Sequence, residues 1–256
     1  MQSDPSPLLG PNDPAPFRWI NREPQKRFLL LNDHAGFHTP ESLGDLGLSA
    51  EHWTKHIVGD WGMEALGRAL VQRLKGSLIE GVYSRAVLDL NRRATDWDMA
   101  GAVLDGVEVP RNVDLSPASY AARIQSIHTP YHDEIERFLA EDPGHPDRVI
   151  IHCHSFTDCL MSQPDQPRPW EIGLLHYNAT DRAAEALDWL RANTDYTVGD
   201  NEPYSLFERM TGSYALHSLH RDAPAITFEI RQDLLTTPSD ISHWCAVLEA
   251  MIKEVF

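Results

Sequence analysis

The sequence predicts an α/β fold, a three-layer α/β/α sandwich around a mixed, largely parallel sheet, and three observations lead there. Short apolar runs stop at polar, turn-forming residues, in the manner of strands buried on both faces. Between them lie longer stretches whose apolar residues recur every three to four positions, so that helices alternate with strands. The polar residues with chemical potential gather where the apolar runs end, which is where the crevice of such a sheet opens. With 256 residues and 42% hydrophobic composition the chain is long enough for one substantial core. A single domain over residues 27–256 is therefore expected, preceded by an extended arm at 1–26.

Taken in order, the Pro-rich opening MQSDPSPLLGPNDPAPFRW reads as that arm, lying on the domain surface or disordered. RFLLLND (27–33) is the first strand. From Asp60, DWGMEALGRALVQRLKG sets Leu66, Leu70 and Leu74 four apart beside Ala65 and Ala69 and closes on Lys75 and Gly76, an amphipathic helix with its stop signal. YSRAVLDLNR (83–92) has strand character. Residues 93–115, rich in Asp, Gly, Pro and Arg, form a long loop of the kind that is often functional. SPASYAARIQSIHTPYHDEIERFLAE reads as one helix, with Ser116 and Pro117 as cap and first turn and Ile124, Ile127, Tyr131, Ile135 and Phe138 at helical spacing. A strand at 148–153 and a helix near 180–192 follow, then a loop at VGDNEPYS and a short helix at 213–221. The strand AITFEI and a last helix from about Pro238 to Val255 complete the series, with no internal repeat.

The formal net charge of −16 argues against a nucleic-acid partner, since phosphate binding needs clustered Lys and Arg. It leaves room for a small anionic substrate, because a few buried arginines reverse the field locally. Cys153, Cys159 and Cys245 are few and odd in number, which suits free thiols in a reducing compartment. The N-terminus lacks the basic start and apolar core of a signal peptide, and no run of 18 apolar residues occurs. A cytoplasmic protein without a membrane partner is expected.

Four predicted strands end in polar clusters: NDHAG, DLNRR, HCHSF and FEIRQD. His152 and His154, two apart on a strand, point the same way and together suit a metal; the alternative is one core histidine and one loop residue. Cys153 between them is either a nucleophile or a small buried hydrophobe. Ser155 lacks the G-x-S-x-G setting of a serine hydrolase. Glu229 interrupts an apolar strand, where an unpaired carboxylate is costly, so it is either an ion-pair partner of Arg231 or a general base at the cleft. Asn91 and Arg92 suit a planar carboxylate, or else Arg92 is surface charge at a strand end. His34 follows the first strand, where Gly36 and Pro40 shape the turn.

The order H-A-G-x-x-x-P, D-W-G, S-R-x-V-L-D-L-N-R, H-S-F, G-D-N-E-P-Y and E-I-R-Q-D resembles the N-formylglutamate amidohydrolase family over about residues 27–250. That family is similar in turn to the zinc carboxypeptidase and aspartoacylase group, so the resemblance implies a zinc carboxypeptidase-like fold and a bound Zn²⁺ or another divalent metal. It implies His34 and His154 as ligands, Asn91 and Arg92 as the clamp on a substrate carboxylate, and Glu229 as the base. The carboxypeptidase pattern has a Glu three residues after its first His, where this chain has Phe37. The third ligand implied is then Asp60, ahead of Asp33; the other reading of Asp60 is a helix cap. Arg85 is implied at the oxyanion, Ser155 and Phe156 turn the chain, and His152 and Cys153 support the site. The activity implied is hydrolysis of an N-formyl or small N-acyl acidic amino acid such as N-formyl-L-glutamate. A carboxypeptidase-like peptidase, an aspartoacylase-like deacylase, a thiol amidase using Cys153 and a binding protein without turnover are the alternatives.

Overall fold

A computed structural model describes residues 8–143, 145, 147–177 and 180–256, and among these the chain forms nine strands and six α-helices. In order they are β1 (Phe17–Ile20), β2 (Phe28–Asn32), α1 (Met63–Leu74), β3 (Ser77–Gly81), β4 (Val103–Leu104), β5 (Val107–Glu108), α2 (Pro117–Arg123) and α3 (Thr129–Glu141). Then come β6 (Val149–Phe156), β7 (Ile172–Leu175), α4 (Thr180–Asn193), β8 (Val198–Asp200), α5 (Gly212–His217), β9 (Ala225–Arg231) and α6 (Pro238–Val255). Seven strands make one mixed sheet in the order β1-β3-β2-β6-β9-β7-β8, while β4 and β5 form a separate hairpin. β3, β2, β6 and β9 run parallel; β1 and β7 join antiparallel, and β8 is parallel to β7.

Side chains alternate across each strand, and the two faces differ in kind. One face carries Leu30, Leu78, Ile151, Cys153, Phe228 and Ile230 against α1, α4 and α6. These helices are amphipathic for that reason: α1 buries Met63, Leu66, Leu70, Val71 and Leu74, and α6 buries Trp244, Leu248, Met251, Ile252 and Val255. α6 starts on a reciprocal capping box between Thr237 and Asp240, followed by Pro238. The other face carries Leu29, Leu31, Ile79 and Ile150, covered by α3, α5 and the long segments 35–62 and 82–115. Together they make the expected three layers.

Several elements depart from expectation. The segment expected as an arm contains β1, an edge strand held because Trp19 stacks on Phe138 and Arg18 reaches the buried Glu80; residues 1–7 of that arm lie outside the described residues. Residues 83–92 are a series of turns, closed by Val87 N–H to Ser84 O and Arg92 N–H to Asp89 O, and the strand lies earlier at β3. Val87, Leu88 and Leu90 are apolar because they roof the second face, which mimics a strand pattern. β3 is disguised by Glu80, whose partners Arg68 and Arg18 are distant in sequence. The helix expected from Ser116 begins as foreseen, with Ser116 Oγ accepting from Ser119 N–H, but a π-turn at Ile124–His128 splits it before Pro130, which has no N–H to give. β7 and β8 are strands too short to stand out in the sequence. β6 runs on through Ser155 and Phe156, which therefore extend the strand and do not turn it.

Candidate active site

β2 ends at Asn32, and the chain then turns over the sheet edge through Asp33 and His34. Gly36 makes that turn possible: a Cβ there would fall 2.0 Å from the carbonyl oxygen of Val82. On β6, His152 and His154 point to the second face, and on β9 Glu229 lies beside His154 in register. The segment 58–62 closes over them because Ser155 Oγ donates to Trp61 O and Asp60 N–H donates to His34 O.

The result brings His34, Asp60 and His154 together, each buried, with candidate ligand atoms all within 4.8 Å of one another. Asp60 Oδ2 lies 2.9 Å from His154 Nδ1 and 3.4 Å from His34 Nδ1. Asp60 is not a helix cap; α1 is entered through Gly62, and the Asp60 carboxylate also accepts from Ser155 N–H. Each imidazole is backed by a further carboxylate. His34 Nε2–H donates to Asp89 Oδ1 at 2.7 Å, and His154 Nε2 lies 3.7 Å from Asp33 Oδ2. Tyr131 holds Asp33 by donating to its other oxygen. The two candidate carboxylates are thereby separated: Asp60 faces both Nδ1 atoms, and Asp33 stands behind one ring.

Three buried atoms in this cluster lack a hydrogen bond, His34 Nδ1, Asp33 Oδ2 and Glu229 Oε2. An unpaired buried nitrogen turned toward a carboxylate and a second imidazole is a donor set suited to a divalent cation of the zinc type. Asp89, accepting from His34 Nε2–H, is an outer carboxylate of the kind that fixes a ligand ring's tautomer, and Asn91 Nδ2 takes the corresponding place behind His154. Electrostatics agree: burial and Arg85 oppose charge on His34, yet Asp89 and Asp60 hold its imidazole up to about 9. Burial likewise opposes the charged form of Asp60, but the two imidazoles keep its carboxyl well below the usual range. Glu229 is different, because burial dominates and pushes its carboxyl up to about 7. Arg231 bonds Asp233 at 2.8 Å, so the ion pair with Glu229 does not form; at the strand end its side chain turns out to the acid two residues on.

A cavity of about 240 Å³ opens over the cluster, lined also by Arg85, Asn91, Arg92, Arg209 and Tyr204. Arg85 grips Asp89 at 2.7 Å and lies 3.5 Å from Asp60. Asn91 accepts from Ser213 N–H through Oδ1 and presents Nδ2 3.3 Å from His154 Nε2. Arg92 and Arg209 share Asp98, at 3.5 and 2.6 Å. Two guanidiniums against one carboxylate leave positive charge at the cavity wall. His152 stands apart, bonded to Ser218 Oγ at 2.8 Å, and Cys153 points into the apolar face among α1 and α6 residues. Burial raises the Cys153 thiol well above its ordinary value, and the side chain lies fully buried on the face opposite the cluster, which argues against a thiol nucleophile.

The sequence profile of the N-formylglutamate amidohydrolase family matches residues 26–236. The chain belongs to that family. It is an amidohydrolase, and its fold agrees with that membership. The Agrobacterium tumefaciens gene product Atu2144 superposes with a TM-score of 0.91 at 26% identity, covering 97% of each chain. The N-formylglutamate amidohydrolase of Ralstonia eutropha JMP134 superposes at 0.69 with 18% identity, covering 93% of this chain and 95% of the other. Comparison with curated proteins gives no match. No helix among the described residues is long and apolar enough to cross a membrane.

Of the site residues named from sequence, all seven meet here: His34, Asp60, His154 and Glu229 at the cluster and Arg85, Asn91 and Arg92 on the cavity wall. Sequence reasoning gave no role to Asp89, although an acid inside the apolar run VLDLN was a signal of a buried partner. Arg209 carried no local signal; the fold alone brings it to the cavity.

Proposed function

We propose that this amidohydrolase cleaves the formamide bond of N-formyl-L-glutamate, or a close N-acyl acidic amino acid, with a divalent ion held by His34 Nδ1, Asp60 and His154 Nδ1. When bound, an ion such as zinc polarises a carbonyl and acidifies water to a pKa of roughly 7. Glu229 takes a proton from the attacking water and passes one to the amine of the departing glutamate as the C–N bond breaks, leaving formate and the free amino acid. A carboxyl lifted by burial suits that double duty, accepting and then releasing a proton near neutral pH. Arg85 donates to the oxygen on which charge develops, which its place on the cavity wall beside Asp60 supports.

Asn91 and Arg92 hold the α-carboxylate, with the planar guanidinium offering two parallel donors. The side-chain carboxylate of glutamate falls to Arg209, which shares Asp98 with Arg92 and so brings charge that one acid cannot neutralise. The observation that carries the reading is the buried, unpartnered Glu229 oxygen beside a buried His-Asp-His cluster in a chain of this family. The test is a substrate panel: N-formylglutamate, N-acetylglutamate, N-acetylaspartate and a short peptide with C-terminal glutamate, scored by amine release. Preference for N-formylglutamate supports the proposal, whereas preference for the peptide would make the site a carboxypeptidase.

A further inference from the structure

Behind the segment 89–92 lies a second cluster of titratable side chains that the proposed reaction does not use. His132 on α3 bonds His217 at the end of α5, Nδ1 to Nε2, at 2.8 Å. The outer nitrogen of His132 bonds Leu90 O at 2.9 Å, and the outer nitrogen of His217 bonds Glu136 Oε1 at 2.7 Å. Both imidazoles are buried, whereas Glu136 reaches the surface, where Arg221 pairs with its other oxygen.

Hydrogen-bond accounting fixes the protonation of this chain. A peptide carbonyl and a carboxylate only accept, so His132 Nε2 and His217 Nδ1 each carry a proton. The short contact between the rings needs one proton more. Two imidazoles therefore hold three protons and one positive charge, the proton of the N–N contact lying between the rings; burial and the neighbouring imidazoles oppose charge on His132, and Glu136 balances it from the His217 end. Loss of that proton would leave two lone pairs facing each other, or one of the end acceptors without its donor.

The inner end of the chain enters the site. The Leu90 carbonyl belongs to the same peptide as the Asn91 N–H, which donates to Asp89 Oδ1 at 2.9 Å, and that oxygen also receives His34 Nε2–H. Three successive carbonyls are held from behind: Leu90 by His132, Asn91 by Gly212 N–H at 2.9 Å, and Arg92 by His128 Nε2 at 3.0 Å. The π-turn at Ile124–His128 leads into His128, whose ring lies 4.1 Å from that of His132. Gly212 is obligatory for the approach, since a Cβ there would meet the Arg92 carbonyl carbon at 2.4 Å.

We propose that Glu136, His217 and His132 form a positioning device for the active site, in which a proton shared by two buried imidazoles fixes the Leu90–Asn91 peptide and through it Asp89 and Asn91. This rests on the reading of Asn91 and Arg92 as the clamp on the substrate carboxylate. His132 and His217 touch no reacting atom; they act through the backbone.

The test uses the full, metal-loaded chain with N-formylglutamate and compares His132→Leu, His132→Gln and Glu136→Leu. His132→Leu is expected to lower kcat/KM roughly 10- to 100-fold, the usual cost of losing an outer partner, and mainly through KM. His132→Gln should recover most of it, because an amide still donates to Leu90 and accepts from His217. Glu136→Leu should raise KM in smaller measure and lower the melting temperature somewhat, because Arg221 and the buried His217 lose their carboxylate. Histidine and amide ¹⁵N spectra give a readout that needs no turnover: three of the four ring nitrogens protonated in the unaltered chain, two in Glu136→Leu, and a shifted Asn91 amide in His132→Leu. Absent turnover in the unaltered chain would count against the proposed substrate and leave these spectra decisive. Folded His132→Leu protein with unchanged KM, or with an unmoved Asn91 amide, would overturn the positioning role.

Discussion

The two faces of β6 set the terms of this molecule. Ile151 and Cys153 look into a largely apolar layer of helices, while His152 and His154, one position away, look into a layer of turns packed with acids, amides and imidazoles. The first face is held mainly by hydrophobic burial, which is non-directional and roughly proportional to the apolar area removed from water. The second buries Asp33, His34, Asp60, Asp89 and Glu229 as well, and such groups persist only when each finds a partner or a ligand. Stability is thus concentrated on one side of the sheet and chemistry on the other, and substitutions on the two faces should be read out by different instruments.

The largest effect is expected at Glu229. Glu229→Gln keeps the shape and removes the base, so kcat should fall by roughly 10² to 10⁴ with fold and metal content retained. Because Arg231 is satisfied by Asp233, no ion pair is lost, and the melting curve should barely move. Near-normal kcat in that variant would place Glu229 with the structural residues and dissolve the contrast between the faces.

Arg209→Met comes next. Loss of one charge-assisted contact, about 1.5 to 3 kcal/mol, should raise KM for N-formylglutamate about 10- to 100-fold. N-formylmethionine, which lacks the second carboxylate, should be processed as before. An equal loss on both substrates would assign Arg209 to Asp98 and the loop and remove it from specificity.

The smallest effect on rate belongs to the helical face. Cys153→Ser puts a hydroxyl among apolar neighbours and should cost about 1 to 3 kcal/mol in chemical denaturation. The folded fraction should keep its kcat. A dead but folded, metal-loaded Cys153→Ser protein would mean that the first face also takes part in the reaction.

The same contrast explains what was legible in the sequence. α1 and α6 face a uniform apolar layer, so the spacing of Leu66, Leu70 and Leu74 and the Thr237 and Pro238 start signals were sufficient to find them. β2, β6 and β9 were visible as apolar runs, but β3 was hidden because Glu80 is neutralised by arginines from elsewhere in the chain. On the second face local pattern misleads, and residues 83–92 alternate like a strand while folding as turns. The site residues His34, Asp60, Arg85, Asn91, Arg92, His154 and Glu229 came to notice through their motifs, since short ordered motifs survive in a sequence even where periodicity does not. Arg209 and the linked pair His132 and His217 were not legible, because their roles arise only from distances between segments 40 or more residues apart, whereas Asp89 showed only as an acid in an apolar run, with its partner His34 55 residues away.

The central claim is that the second face buries its acids and imidazoles for a divalent ion. It is tested most directly by following formate release from N-formylglutamate in protein stripped of metal and then titrated with zinc. The expected result is loss of activity on stripping and its return at one zinc per chain. Proton release should accompany uptake, because His34, held up to about 9 without metal, must give up its Nδ1 proton to bind. Full turnover by the metal-free protein, or zinc uptake unaffected when His34 and His154 are both replaced by Ala, would contradict the account.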